Sequence, residues 1–245
     1  MNIVVPMAGL GSRFLDAGYL DPKPLIKINN KPMIEIVIDN LKPSTKHKFI
    51  FICQKSHELG YQISNILRKC SSDCELVFID GVTDGAACTV LEAKEFIDNE
   101  EKLMIANCDQ FIDIKIDDYL MSWSQSRLSG YIMTMKANDT KWSYVGINQK
   151  GLVNKVVEKQ VISEEATVGI YNFKSGKDFV SASKEMIEKN ERVNNEFYVA
   201  PVYNYLFEKN YPTGFYNIGS AGKGMYGLGT PSDLDFFLSK AHQFS

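Results

Sequence analysis

The sequence predicts an α/β fold: a single domain on a mixed, mostly parallel, Rossmann-like sheet flanked by helices. Three observations carry this. In the first half, short apolar runs alternate with amphipathic segments of helical length. Those runs (IVVP, FIFIC and KLMIA) are apolar at consecutive positions, as strands covered on both faces must be. A chain of 245 residues, 44% hydrophobic and 23% charged, suits one large unit with a sizeable core.

Residues 2–6 (NIVVP) are an apolar run that stops at glycines, the pattern of a buried strand entering a loop. Residues 32–41 place Met33, Ile34, Val37, Ile38 and Leu41 on one helical face, with Pro32 in the first turn. Residues 49–53 form a continuous apolar strand, 59–70 a helix, 75–79 a strand, 86–97 a helix and 102–106 a strand. The second half changes character. Residues 130–137, 144–148, 153–158 and 168–173 read as closely spaced strands with few helices between them. Helices follow at 179–189, at 197–209 around Pro201, and at 231–244, where Thr230, Pro231, Ser232 and Asp233 supply the start signals. No internal repeat, low-complexity tract or linker interrupts the chain.

The formal net charge is -3, so no overall basic field draws nucleic acid. Any polyphosphate must be met by locally gathered cations. No apolar stretch reaches the roughly 18 residues that cross a bilayer. The opening IVVP reads as a core strand, not a leader segment, and the chain is read as cytoplasmic with no membrane partner. The five cysteines read as reduced, mostly buried thiols. Cys70 and Cys74 resemble half a zinc site, but no second close pair follows.

The stretch VPMAGLGSRF, Val5 to Phe14, carries the chemistry. A dinucleotide fingerprint requires G-x-G-x-x-G, and Phe14 stands where the third glycine belongs. The second strand ends Ile52-Cys53-Gln54, with no acid to hold a ribose. A hydrolysis loop of the G-x-x-x-x-G-K-[ST] type fails as well, at Phe14 and Leu15. What remains is still specific. Gly9 and Gly11 let backbone N–H groups approach an anion with no Cβ in the way. Arg13 adds a forked cation. In Asp21-Pro22-Lys23-Pro24-Leu25, the prolines fix the backbone and aim Lys23 back at the loop.

Gly9-Leu10-Gly11-Ser12-Arg13, Pro22-Lys23-Pro24-Leu25 and Lys31-Pro32-Met33-Ile34 together resemble the signature of the sugar-phosphate nucleotidyltransferases, or nucleotide-sugar pyrophosphorylases. Weaker correspondences run almost to the C-terminus. The resemblance implies a nucleotidyltransferase, GT-A-like sheet. It implies an enzyme that couples a nucleoside triphosphate to a phosphorylated acceptor and releases pyrophosphate. Residues 1–125 would then be the nucleotide-binding half and 126–245 the acceptor-binding half. Ala8, Gly9, Leu10, Gly11, Ser12 and Arg13 would wrap the triphosphate. Arg13 would stabilise the departing pyrophosphate, and Lys23 the α-phosphate. Asp84 and Gly85 would pack on base and ribose. Asp109, after the strand KLMIA, would bind Mg²⁺, which favours a carboxylate together with phosphate oxygens and water. Arg13, Lys23 and Asp109 are thus the implied catalytic residues. On the acceptor side the resemblance implies Gly146, Glu158, Lys159, Gly169 and Glu196. Gly146 would give a backbone contact, Glu158 would accept hydrogen bonds, and Lys159 would hold the acceptor phosphate.

One departure stands out. Many relatives carry a second metal-binding aspartate in D-[TV]-G-T-[PH], and here Gly227 takes that position. Either Asp109 and the phosphates hold the metal, or another acid such as Asp84 or Glu196 substitutes, or catalysis is weakened. The compact length, Gly227 and Asn107-Cys108-Asp109-Gln110 resemble short cytidylyltransferases of capsule-building pathways. CTP is therefore the favoured nucleotide. Phosphoglutamine or a sugar phosphate is the implied acceptor, in capsule or surface polysaccharide biosynthesis. Two readings of other classes stay open: a non-catalytic nucleotide-binding regulatory protein, and a nucleotide-sugar glycosyltransferase. The latter needs an acid-x-acid motif, and Asn107-Cys108-Asp109 lacks its first acid. Monomer and dimer both stay open.

Overall fold

The computed structural model describes residues 1–240. In chain order the strands are β1 (Asn2–Pro6), β2 (Lys27–Ile28), β3 (Lys31–Pro32), β4 (Lys48–Gln54), β5 (Cys74–Ile79), β6 (Leu103–Ala106), β7 (Gln110–Ile112), β8 (Gly130–Lys136), β9 (Ser143–Ile147), β10 (Val153–Glu158), β11 (Glu165–Phe173), β12 (Thr213–Ala221) and β13 (Gly224–Gly227). The helices are α1 (Ser12–Asp16), α2 (Met33–Leu41), α3 (Lys55–Tyr61), α4 (Ile63–Cys70), α5 (Ala86–Leu91), α6 (Lys94–Ile97), α7 (Ile116–Ser126), α8 (Gly176–Glu188), α9 (Val202–Phe207) and α10 (Pro231–Lys240).

The apolar runs of the first half pair in parallel. β1 lies between β4 and β6, and β5 continues the sheet beyond β4. Successive side chains of a strand point to opposite faces. Ile3 and Val5 therefore join Phe49 and Phe51 in one core, while Val4 joins Ile50 and Ile52 in the other. Both faces are apolar, which is why these runs show no alternation in the sequence.

The topology positions the site. From β1 the chain moves outward to β4 and β5, then returns to the other side of β1 as β6. The direction of winding reverses there, and a crevice opens beyond the carboxyl ends of β1 and β6. The glycine loop leaves β1 at that end, and Asn107, Cys108 and Asp109 leave β6 at the same end.

The second half is largely antiparallel, and its strands extend the same sheet. β11 is buried along its whole length and runs antiparallel to β6, β8 and β9. β12 lies parallel to β8 and β13, and β13 pairs antiparallel with β7. That last pairing sets Gly227 opposite Gln110, bringing the C-terminal segment beside Asp109.

Several elements differ from the sequence reading. The helix expected at 59–70 is two, broken at Gln62, which adopts a left-handed φ of 49°. The helix expected at 86–97 is also two short ones, α5 and α6. The helix expected at 197–209 is confined to Val202–Phe207, because Phe197 commits its backbone elsewhere and Pro201 sits at the helix start. The hairpin β2–β3, the short β7 and the strands β12 and β13 are additional. α10 is described to Lys240, and the rest of the helix expected to 244 lies outside the described residues.

Candidate active site

The loop after β1 is held from both ends. Met7 N–H donates to Ile52 O at 2.9 Å, and the Gln54 amide donates to Ala8 O at 2.6 Å. Gly11 adopts a left-handed φ of 64° at the start of α1, and a Cβ there would meet Lys23 Cβ at 3.0 Å. Its glycine is thus required by the fold itself. Gly9 is different, since a Cβ there would meet nothing within 4 Å. It faces the open cleft, where an anion can reach the backbone. Residues from Ala8 to Arg13 line this cleft together with Lys23 and Asp109.

Lys23 stands on a single 3₁₀ turn, Lys23–Leu25, with prolines on either side. Its Nζ lies 2.5 Å from Asp109 Oδ2, although the two are 86 residues apart in sequence. Burial pulls the Lys23 ammonium down. The Asp109 carboxylate, through its charge and its hydrogen bond, leads the opposing effects, and the net pKa stands above the ordinary lysine value. Lys23 is therefore charged at neutral pH despite its burial. Burial likewise raises the Cys108 thiol to about 11, so this neighbour stays neutral.

Asp109 is crowded by the C-terminal segment. Leu228 N–H donates to Asp109 O at 2.7 Å, and a Cβ on Gly229 would lie 2.7 Å from Asp109 Oδ2. Glycine at 229 leaves the carboxylate its space. Gly227, where a second acid was expected, faces a carboxylate from elsewhere: a Cβ there would lie 3.3 Å from Asp233 Cγ. Thr230 holds that carboxylate, its hydroxyl 2.7 Å from Asp233 Oδ2. Among the described residues no three His, Cys, Asp or Glu side chains converge as a metal cage. One carboxylate beside a polyphosphate cradle is a donor set that fits magnesium arriving with phosphate oxygens and water.

The loop between β5 and α5 contributes Val82, Thr83, Gly85 and Ala86 to the cleft. Gly85 has φ 121°, and a Cβ there would lie 2.5 Å from both N and O of Phe197. The close approach that demands glycine here is to the Phe197 backbone. Asp84 is not among the lining residues; it pairs with Arg192 at 3.0 Å. That pairing turns it away from the replacement role considered for Gly227.

Of the residues expected to meet the acceptor, Glu196 lines the cleft, as do Tyr198 and Asn107. Lys159 has φ 57°, and its Nζ donates to Tyr198 OH at 2.7 Å, so it reaches the cleft wall through that tyrosine. Gly169 (φ 81°) lies against Gln110 Oε1, which a Cβ would approach to 2.6 Å, and against the Asn107 carboxamide. It shapes the wall from behind. Glu158 is buried, and its carboxylate accepts a hydrogen bond from Ser143 Oγ. Burial raises its pKa above the ordinary value. Gly146 lies in β9 opposite Lys155. Gly146, Glu158, Lys159 and Gly169 are thus all outside the lining proper. Arg192 escaped the sequence reading because ERVNN looks like a solvated loop, and Phe197 reads only as the start of the helix expected at 197–209.

A cleft at the switch point of an α/β sheet, setting a glycine loop and two cations against one carboxylate, defines a polyphosphate-handling protein. Residues 3–217 match the nucleotidyl transferase family, and the chain belongs to it. It is 25% identical over 178 residues to the mannose-1-phosphate guanylyltransferase catalytic subunit beta of Danio rerio (71% of this chain, 49% of that protein). It is 24% identical over 182 residues to the low-salt glycan biosynthesis nucleotidyltransferase Agl11 of Haloferax volcanii (71% and 49%). The chain spans about half the length of these curated relatives. Among solved structures, a nucleoside-diphosphate-sugar pyrophosphorylase from Vibrio cholerae RC9 superposes with TM-score 0.82 at 24% identity, covering 97% of this chain and 99% of that one. The inositol-1-phosphate CTP transferase from T. maritima gives TM-score 0.73 at 13% identity, covering 98% and 95%. These structural likenesses establish the fold.

Proposed function

We propose that the chain is a Mg²⁺-dependent nucleotidyltransferase. It joins the NMP of a nucleoside triphosphate, CTP favoured, to a phosphorylated small molecule, and it releases pyrophosphate. An oxygen of the acceptor phosphate forms a bond to the α-phosphorus as the bond to the bridging α,β-oxygen breaks. Pyrophosphate leaves with that electron pair. The reaction needs little covalent help, so the protein acts by positioning and by neutralising charge.

The observation that carries this reading is the 2.5 Å Lys23–Asp109 pair at the mouth of the glycine loop. A phosphate oxygen entering the cleft competes for the Lys23 ammonium, and Lys23 then stabilises negative charge growing around the α-phosphorus. Arg13, exposed at the start of α1, meets the departing pyrophosphate. Asp109 would hold the magnesium ion, which supplies charge neutralisation on the phosphates. Lys159, aimed through Tyr198, meets the acceptor phosphate, and Glu196 its polar groups.

The residue pattern supports CTP and an acceptor such as phosphoglutamine or a sugar phosphate, in capsule or surface polysaccharide biosynthesis. The test is a pyrophosphate-release screen of CTP, UTP, dTTP, ATP and GTP against sugar 1-phosphates, inositol 1-phosphate and phosphoglutamine. Release that requires Mg²⁺ and one acceptor class is expected. Tight triphosphate binding without release for any pair would favour a regulatory protein instead.

A further inference from the structure

Phe197 is tied to the nucleotide-side loop by both its backbone groups. Its N–H donates to Asp84 O at 2.8 Å, and its carbonyl accepts from Ala87 N–H at 2.9 Å. Its neighbours Glu196 and Tyr198 line the cleft. One short segment therefore walls the acceptor side while it is zipped onto the nucleotide side.

Arg192 closes this joint. Its Nη2 pairs with Asp84 Oδ2 at 3.0 Å, its Nη1 donates to Asn195 O at 3.1 Å, and its Nε donates to Asn190 Oδ1 at 2.7 Å. The guanidinium also lies 4.2 Å from the centroid of the Phe197 ring. The chain around Arg192 turns through positive φ at Asn190 (53°), Asn194 (48°) and Asn195 (64°). Such conformations persist where surrounding contacts hold them. The ion pair with Asp84 is weak by itself, since the two side chains are 31% and 66% exposed. What Arg192 supplies is a planar fork that binds three groups and stacks on a ring at once. Lysine cannot do this.

We propose that Arg192 is a positioning residue that locks residues 190–198 to the nucleotide-side loop. A nucleotide seated against Thr83, Gly85 and Ala86 thereby sets Glu196, Tyr198 and, through Tyr198, Lys159 for the acceptor. The proposal rests on the nucleotidyltransferase reading. Its consequence is positive coupling between nucleotide and acceptor, equal in both directions.

The test is amide hydrogen exchange on the full chain with CTP and Mg²⁺, and with UTP, dTTP, ATP and GTP in parallel. In the wild type, the nucleotide slows exchange across residues 9–13 and also at Phe197 and Tyr198. In Arg192→Ala the first effect persists and the second is lost. The KM for the best acceptor of the screen rises at least about fivefold, the lower end of typical coupling, with a smaller change in kcat. Arg192→Lys does not restore it. Equal slowing at 197–198 in wild type and Arg192→Ala would overturn the proposal. So would no slowing there in the wild type while residues 9–13 respond, or a lowered Tm with an unchanged acceptor KM. If no triphosphate slows exchange at residues 9–13, the nucleotidyltransferase reading falls, and the coupling falls with it.

Discussion

Lys23 Nζ lies 2.5 Å from Asp109 Oδ2, which joins the proline-flanked turn after the glycine loop to the end of β6. The Asp109 carboxylate holds the buried ammonium in its charged form. In Asp109→Asn the carboxylate is gone while burial remains, so the Lys23 pKa falls below its wild-type value. NMR of ¹³C-methylated lysines against pH reads this directly. A Lys23 resonance that titrates as in the wild type would refute the coupling.

The same pair sets the size of the kinetic effect. Lys23→Ala and Asp109→Ala each reduce turnover at least about a hundredfold, the scale of a lost transition-state contact. Turnover near wild type in either variant, with the best substrate pair, would remove that residue from the mechanism.

Gly9 and Gly85 serve different ends, and alanine at each separates them. Gly85→Ala places a Cβ 2.5 Å from the Phe197 backbone at φ 121°, so it destabilises the fold. The cost is of order 1–3 kcal/mol, seen as a fall in Tm. Gly9→Ala meets open space. Its stability stays within about 0.5 kcal/mol of wild type, while nucleotide binding weakens. Paired calorimetry and nucleotide titration would show the reversal; equal Tm losses would contradict it.

Glu158 carries a pH signature. Burial raises its pKa above the ordinary 4.5. Between the unfolded and folded values the native state binds more protons than the unfolded one. Stability from this group is therefore present at low pH and is lost as pH rises through the raised value. Glu158→Gln has no such loss, so its stability relative to wild type improves from pH 4 to pH 8. Denaturant titrations across that range would show it, and a pH-independent difference would rule it out.

Gly227 leaves room that Asp233 uses. Gly227→Asp brings a second carboxylate against the first, since Asp233 Cγ lies 3.3 Å from the Cβ position. Without metal, this variant melts several degrees below wild type, as a change of roughly 1–2 kcal/mol does in a chain of this size. Adding Asp233→Asn recovers most of the loss. A double variant no more stable than Gly227→Asp would locate the strain elsewhere.

The first half was legible because local pattern and tertiary role agree there. Ile3, Val4 and Val5 are apolar on both faces because helices cover both faces, and the glycines follow where the chain must turn. Lys23 and Asp109 were readable as types at strand ends and turns, though their contact is made only by the folded sheet. The acceptor side was less legible. Phe197 reads as a helical core residue, yet its backbone pairs with Asp84 and Ala87. Arg192 reads as a solvated charge, yet each of its three guanidinium nitrogens has a partner. Gly85 reads as a glycine on the nucleotide side, and nothing local signals that the Phe197 backbone lies against it. The contacts of Asp84, Gly85 and Ala87 with Arg192 and Phe197 link residues more than a hundred positions apart, and no local periodicity records them.

The most direct test of the central claim is ³¹P NMR of the best nucleotide and acceptor pair, with enzyme and Mg²⁺. The account predicts equal amounts of pyrophosphate and a new diphosphodiester, in which the α-phosphorus is bonded through oxygen to the acceptor phosphorus. Inorganic phosphate with NDP, or an acceptor phosphate signal that never changes, would contradict it.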